Sequence, residues 1–213
     1  MPKLFEYACL VALAYAYEPI TIQENGQDKT VYITGCSPSA GGRGIRCSGP
    51  NGGKLSELDH LDPEGWYRPN VLGGSVSYDV DLSGQKCGCI AAFYQVRMPG
   101  KDQNGNYVLG GQSDYYCDAN QVGGTWCPEF DIMEADMYSF QSTAHKCDPP
   151  TDKGHYWNCD RGGSDLKNWG WYDGFGPTAD KVDTTRKFNV KIDFTREGSN
   201  MKGYTITLSQ DDR

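Results

Sequence analysis

Phe188-Asn189-Val190-Lys191-Ile192-Asp193-Phe194 is the stretch that decides the fold class. Large apolar side chains take every second position and polar ones fill the gaps, the period of a β-strand with one face in a core and the other toward water. Further on, Tyr204, Ile206 and Leu208 alternate in the same way with Thr205 and Thr207. Gly198-Ser199-Asn200 lies between the two runs as a turn signal, so the strands are expected to pair antiparallel. Earlier in the chain, Val76, Tyr78, Val80 and Leu82 alternate with Ser77, Asp79 and Asp81, and Asn25-Gly26 and Asn104-Gly105 are hairpin dipeptides. Ile90 to Val96 is a more continuous apolar run, as expected for a central strand. With 27 Gly, 14 Tyr and 5 Trp in 213 residues, and no helical period beyond the N-terminus, the chain reads as all-β. The natural architecture is an antiparallel β-sandwich or jelly roll in one domain over residues 17–213.

Charge narrows the partners. The formal net charge is −8 and the pI about 4.8. A polyanion would be repelled and no basic stripe is present, so nucleic acid is not an expected partner. A neutral polymer or an uncharged small ligand is compatible.

Residues 1–16 read as a secretory signal peptide. Lys3 supplies the positive start, Leu4 to Ala16 is mostly apolar, and Ala14-Tyr15-Ala16 has the small-x-small form of a cleavage site. That run is too short to span a bilayer, so no membrane association is expected and the protein is expected outside the cell. Of nine cysteines, Cys9 lies in the signal; the other eight form an even set, which in an exported chain points to disulfides of unassigned pairing. The competing reading is a metal site from Cys87-x-Cys89 and His145-x-Cys147, but those spacings are not the usual zinc pairs. No metal and no cofactor are expected.

Chemistry is concentrated in Glu129-Phe130-Asp131-Ile132-Met133-Glu134. On a strand, Glu129 and Asp131 point to one face, and Glu134 has the wrong parity for it. One extra residue, a β-bulge, would restore it. Two carboxyl groups on one sheet face, one charged and one neutral, are what glycosidic bond cleavage requires.

The flanking residues resemble glycoside hydrolase family 7, the fungal-type cellulases and endoglucanases. The resemblance is carried by Ser77-Tyr78-Asp79-Val80-Asp81-Leu82-Ser83, Tyr116-Cys117-Asp118-Ala119, Glu129-Phe130-Asp131-Ile132-Met133-Glu134-Ala135, His145-Lys146-Cys147, Phe175-Gly176-Pro177 and Asp183-Thr184-Thr185-Arg186-Lys187, in the family's order. It implies a concanavalin A-like jelly roll that hydrolyses β-1,4-glucan with retention of configuration. Glu129 would be the nucleophile and Glu134 the general acid/base, with Asp131 orienting Glu129 and His145 beside the site. A retaining mechanism places the two carboxyl groups about 5–5.5 Å apart. Glu134 must keep its proton to assist the leaving oxygen, which the charge on Glu129 favours by repulsion.

The chain also departs from the family pattern. Trp126 stands where a second cysteine is usual, and Met133 where Trp is usual. The Cys117–Cys127 connection is short, which implies an open cleft and internal cutting. Family members continue beyond Arg213, so the resemblance implies a chain shortened at its C-terminus. Sugar rings stack on aromatics, which makes Tyr94, Trp169 and Trp171 candidate substrate contacts; core packing is the competing reading for each. The expected partner is a β-glucan poly- or oligosaccharide, met by a monomer. The alternative is a non-catalytic, lectin-like glucan-binding module on the same fold.

Overall fold

The computed structural model describes residues 17–38, 41, 45–46, 52–85, 89–110 and 114–211. The signal reading of residues 1–16, and Cys9, Cys47 and Cys87, lie outside them. The chain divides into two compact units, residues 1–67 and 68–213.

In the first unit, β1 (Glu18–Glu24) and β2 (Gln27–Thr34) form an antiparallel hairpin. Its loop is Asn25-Gly26, with φ of 53° and 76°. Positive φ at both loop positions is the backbone of the turn whose twist matches the strands, which explains the Asn-Gly choice. A short ladder joins β3 (Ser37–Pro38) to β4 (Ile45–Arg46), and β5 (Lys54–Ser56) extends the hairpin along β2. Ile20, Val31 and Ile33 are its small core.

The second unit is a sandwich. One sheet holds β6 (Ser75–Val80), β13 (Phe188–Glu197) and β14 (Asn200–Ser209) in the order β14-β13-β6, all antiparallel. The other holds β7 (Ala91–Val96), β8 (Glu129–Ala135), β9 (Ser139–His145) and β10 (Ser164–Gly170) in the order β10-β9-β8-β7. Short strands β11 (Phe175–Gly176) and β12 (Val182–Asp183) pair beside them. No helix among the described residues is long and apolar enough to cross a membrane.

The alternating residues of β13 do what their period demands. Phe188, Val190, Ile192 and Phe194 are buried and meet Ile132, Met133, Ala135 and Phe140 of the facing sheet in one core. Aromatic contacts tie the layers together: Phe130 meets Phe194 and Tyr204 edge-on, and Tyr78 meets Phe93 with the rings tilted by 35°. The Ile90–Val96 run differs from expectation. Among the described residues β7 is an outer strand of its sheet, and Ile90, ahead of it, is 63% exposed. Its small residues Ala91 and Ala92 extend the apolar run without the bulk that a doubly covered strand carries.

Ile192 is fully buried at the centre of β13, with strands on both sides. Ile192→Ala is expected to lower the unfolding free energy by about 3 kcal/mol, because a cavity in a two-layer core collapses poorly. Urea unfolding followed by tryptophan fluorescence measures it.

Candidate active site

The outer face of β8 carries the acidic residues. Against β7, Phe93 pairs with Met133 but Tyr94 pairs with Asp131, so β8 contains one residue more than its partner. The β9 side shows the same slip, between the Asp131–Thr143 and Glu134–Gln141 pairs. This is the bulge that the parity of Glu134 requires. It turns two neighbours, Ile132 and Met133, both into the core, at 0% and 4% exposure. Glu129, Asp131 and Glu134 are thereby left on one face. They sit in three cross-strand rows: Val96–Glu129–His145, Tyr94–Asp131–Thr143, and Ala92–Glu134–Gln141–Asn168.

Glu129 is oriented from the loop before β8. The backbone N–H of Ala119 donates to its Oε2 at 3.0 Å. That N–H is held by a tight turn in which the buried Asp118 carboxylate accepts from the N–H groups of Asn120 and Val122 at 2.9 Å each. The Cys117–Cys127 disulfide closes the same loop, and Cys127 N–H donates to the Asp118 carbonyl at 3.0 Å. Burial pushes the Glu129 carboxyl above its ordinary range. The charges of Asp118 and Glu134 push the same way, against the Ala119 hydrogen bond and His145.

Asp131 and His145 share a proton. His145 Nδ1 lies 2.8 Å from the Asp160 carbonyl oxygen, which can only accept, so Nδ1 carries hydrogen. Its Nε2 lies 3.0 Å from Asp131 Oδ2. Two bare lone pairs would repel at that distance, so one proton lies between them. Asp131 is raised to about 7, by burial first and then by the charges of Glu129 and Glu134, with His145 opposing. The ring is fixed from behind by Gly163 (φ 71°), where any Cβ would run into Thr143 and His145. Ser142 Oγ holds the strand itself, donating to the Asp131 carbonyl at 2.8 Å.

Glu129, Asp131 and His145 each present one potential ligand atom within 4.8 Å of the others, and among the described residues they are the group that could hold a metal ion. The reading of His145-x-Cys147 as a metal pair does not survive. Cys147 is bonded to Cys159, and both His145 nitrogens are engaged. Cys36 is also disulfide-bonded, while Cys89 is a free, exposed thiol.

Tyr94 lies in the Asp131 row, its hydroxyl 3.4 Å from that of Tyr116; burial pushes the Tyr94 phenol up. Trp169 is placed differently. It pairs with Phe140, meets that buried ring edge-on at 5.4 Å, and packs on the core side of its sheet, away from the carboxylates. Trp171 does not share its strand, because β10 ends at Gly170 and Trp171 opens a single 3₁₀ turn, Trp171–Asp173. Three residues near the acids are not among those the sequence marks as functional: Ala119, which acts through its backbone, Gln141 and Asn168. Gln141 had a signal, because it shares the parity of Thr143 and His145 and opposes that of the core residue Phe140, whereas Asn168 joins the row only through the β9–β10 register.

No family model matches the chain. Among curated proteins it is 28% identical over 171 residues to endoglucanase EG-1 of Trichoderma longibrachiatum, and 27% identical over 170 residues to endoglucanase EG-1 of Hypocrea jecorina. Each match covers 70% of this chain and 35% of the relative, so the chain spans about a third of the length of the curated relatives it matches. Among solved structures, an endoglucanase I complexed with cellobiose superposes with a TM-score of 0.63 at 19% identity, covering 93% of this chain and 71% of that one. The native endocellulase EGI of Humicola insolens gives 0.56 at 16% identity, covering 92% and 71%. A family 7 cellobiohydrolase from Daphnia pulex gives 0.57 at 16% identity, covering 92% and 70%. The chain carries the jelly-roll fold of the glycoside hydrolase family 7 cellulases and, over most of its described length, a sequence likeness to their endoglucanases.

Proposed function

We propose that this chain is the hydrolase portion, residues 17–213, of an exported retaining glycosidase that cuts β-1,4-glucan internally. The observation that carries the reading is the bulge at Ile132-Met133, which turns Glu129, Asp131 and Glu134 to one face. In the first step Glu129 attacks the anomeric carbon while Glu134 gives its proton to the departing oxygen, which takes the electron pair of the broken bond. A covalent glycosyl-enzyme results and the charge on Glu129 is gone. Glu134, now ionised, takes a proton from water as that water attacks, and Glu129 leaves as carboxylate.

The remaining groups serve this exchange. Ala119 N–H aims one Glu129 oxygen, so the attack angle does not depend on a free rotor. The proton held between Asp131 and His145 keeps the middle carboxyl from adding a full negative charge beside Glu129. The substrate class follows from the endoglucanase likeness and from an open acidic face that suits a neutral polymer. The Cys117–Cys127 loop is too short to roof a tunnel, which favours internal cutting. Its disulfide and that of Cys147–Cys159 suit an extracellular protein, and the net charge of −8 does not suit a nucleic-acid partner. The reaction needs water and no cofactor.

Reducing-end release from a soluble β-glucan is expected to fall about 10²–10⁴-fold in Glu134→Gln, and to background in Glu129→Gln. Proton NMR of the fresh product is expected to show the β-anomer first. An unchanged rate in both variants, or the α-anomer first, removes the proposal; retained glucan binding by a parent without turnover makes the chain a lectin.

Stability gives a second check. Asp131 is raised from an ordinary 3.8 to about 7, so the folded state binds the extra proton and stability falls as pH rises through that window. The thermal midpoint is expected to drop between about pH 4 and pH 7, and Asp131→Asn is expected to flatten the slope. Differential scanning calorimetry across that range measures both.

A further inference from the structure

Gln141 stands directly across the strand pair from Glu134. Its side chain is exposed on the face that carries the acids, and its Nε2 makes two contacts. One, at 3.2 Å, reaches Thr143 Oγ1, two residues along the same strand face. The other, at 3.5 Å, reaches Glu134 Oε2. The Glu134 oxygen that bears no proton only accepts hydrogen bonds, so the amide nitrogen, which lies against Oε2, is the group that can bond it. Thr143 is itself buried and rigidly framed by Gly163, so the amide is steered from one side and presents its second hydrogen to Glu134. A contact at the long end in a free active site tightens when substrate closes over it.

This arrangement depends on the bulge. Without the extra residue in β8, Glu134 would fall on the core face and Gln141 would face no carboxyl group. The pair therefore exists only where the acidic set exists.

We propose that Gln141 is a positioning residue that confines the proton of Glu134 to Oε1. The inference rests on the hydrolase reading above and deepens it. A carboxylic acid exchanges its proton between two oxygens; an N–H fixed on Oε2 leaves Oε1 to carry it. When the glycosidic bond breaks, the Oε1 proton passes to the leaving oxygen and the carboxylate so formed keeps the Gln141 hydrogen bond. In the second half, the same Oε1 takes the proton from water. Gln141 touches neither sugar bond nor water in these steps and acts through Glu134 alone.

The test separates proton delivery from everything else. Gln141→Met keeps length and removes the donor; Thr143→Val keeps shape and removes the group that steers the amide. With cello-oligosaccharides, whose leaving oxygen needs the proton, kcat is expected to fall about tenfold in Gln141→Met and less in Thr143→Val, with KM nearly unchanged. With a dinitrophenyl β-cellobioside, whose leaving group departs without assistance, kcat/KM, which reports the steps up to the glycosyl-enzyme, is expected to stay within about twofold of the parent. Equal losses on both substrates, or none on either, overturn the proposal while leaving the hydrolase reading intact. A parent inactive on both substrates takes down the hydrolase reading and this one with it. Thermal midpoints matching the parent's exclude a folding defect as the cause of a selective loss.

Discussion

A single surplus residue in β8 is the constraint on which the rest of the structure depends. A regular strand would send Glu134 inward, among Phe140, Phe188 and Ile192, where an unpaired carboxyl group costs several kcal/mol. The slip at Ile132-Met133 avoids that cost and satisfies the core as well, since two adjacent apolar residues can both be buried only where the alternation breaks. Packing and chemistry thus ask for the same local irregularity. The core holds the bulge in place, and the bulge holds the acids on the open face.

Gathering three carboxyl groups on one face creates an electrostatic problem that the surrounding residues resolve. Glu129 and Asp131 are both pushed toward their neutral forms, chiefly by burial and then by neighbouring negative charge. The Ala119 N–H supplies partial positive charge to Glu129, and His145 shares a proton with Asp131. Each acid therefore has its own donor: a backbone amide, an imidazole and, for Glu134, the amide of Gln141. Those donors arise from a loop, from β9 one row along, and from β9 directly opposite.

Much of this was legible from side-chain period. The alternation in β6, β13 and β14 gives the sandwich, and the parity of Glu129, Asp131 and Glu134 calls for the bulge before any coordinates are known. Period misleads where residues are small: Ala91 and Ala92 lengthen an apolar run without marking a central strand. It also misleads where a strand stops, because Trp169 and Trp171 share a face only if β10 continues past Gly170. Trp169 follows the parity of Phe140 into the core, and that pairing depends on a register no local pattern encodes. Ala119 was invisible for a different reason: a backbone N–H has no side-chain signature, and its direction is set by the Asp118 turn. Disulfide partners were equally hidden, since eight cysteines admit many pairings and only the folded path brings Cys117 to Cys127 and Cys147 to Cys159.

The tether between His145 Nδ1 and the Asp160 carbonyl has a consequence for how such a chain can diverge. Asp160 belongs to the surface excursion between β9 and β10, a segment that loop tolerance would ordinarily free to drift in length and composition. Here it dictates which ring nitrogen bears hydrogen beside Asp131. Lineages that remodel that excursion must therefore either preserve the carbonyl's position or replace the imidazole in the same step, so a peripheral ribbon and the acidic face are bound to change together.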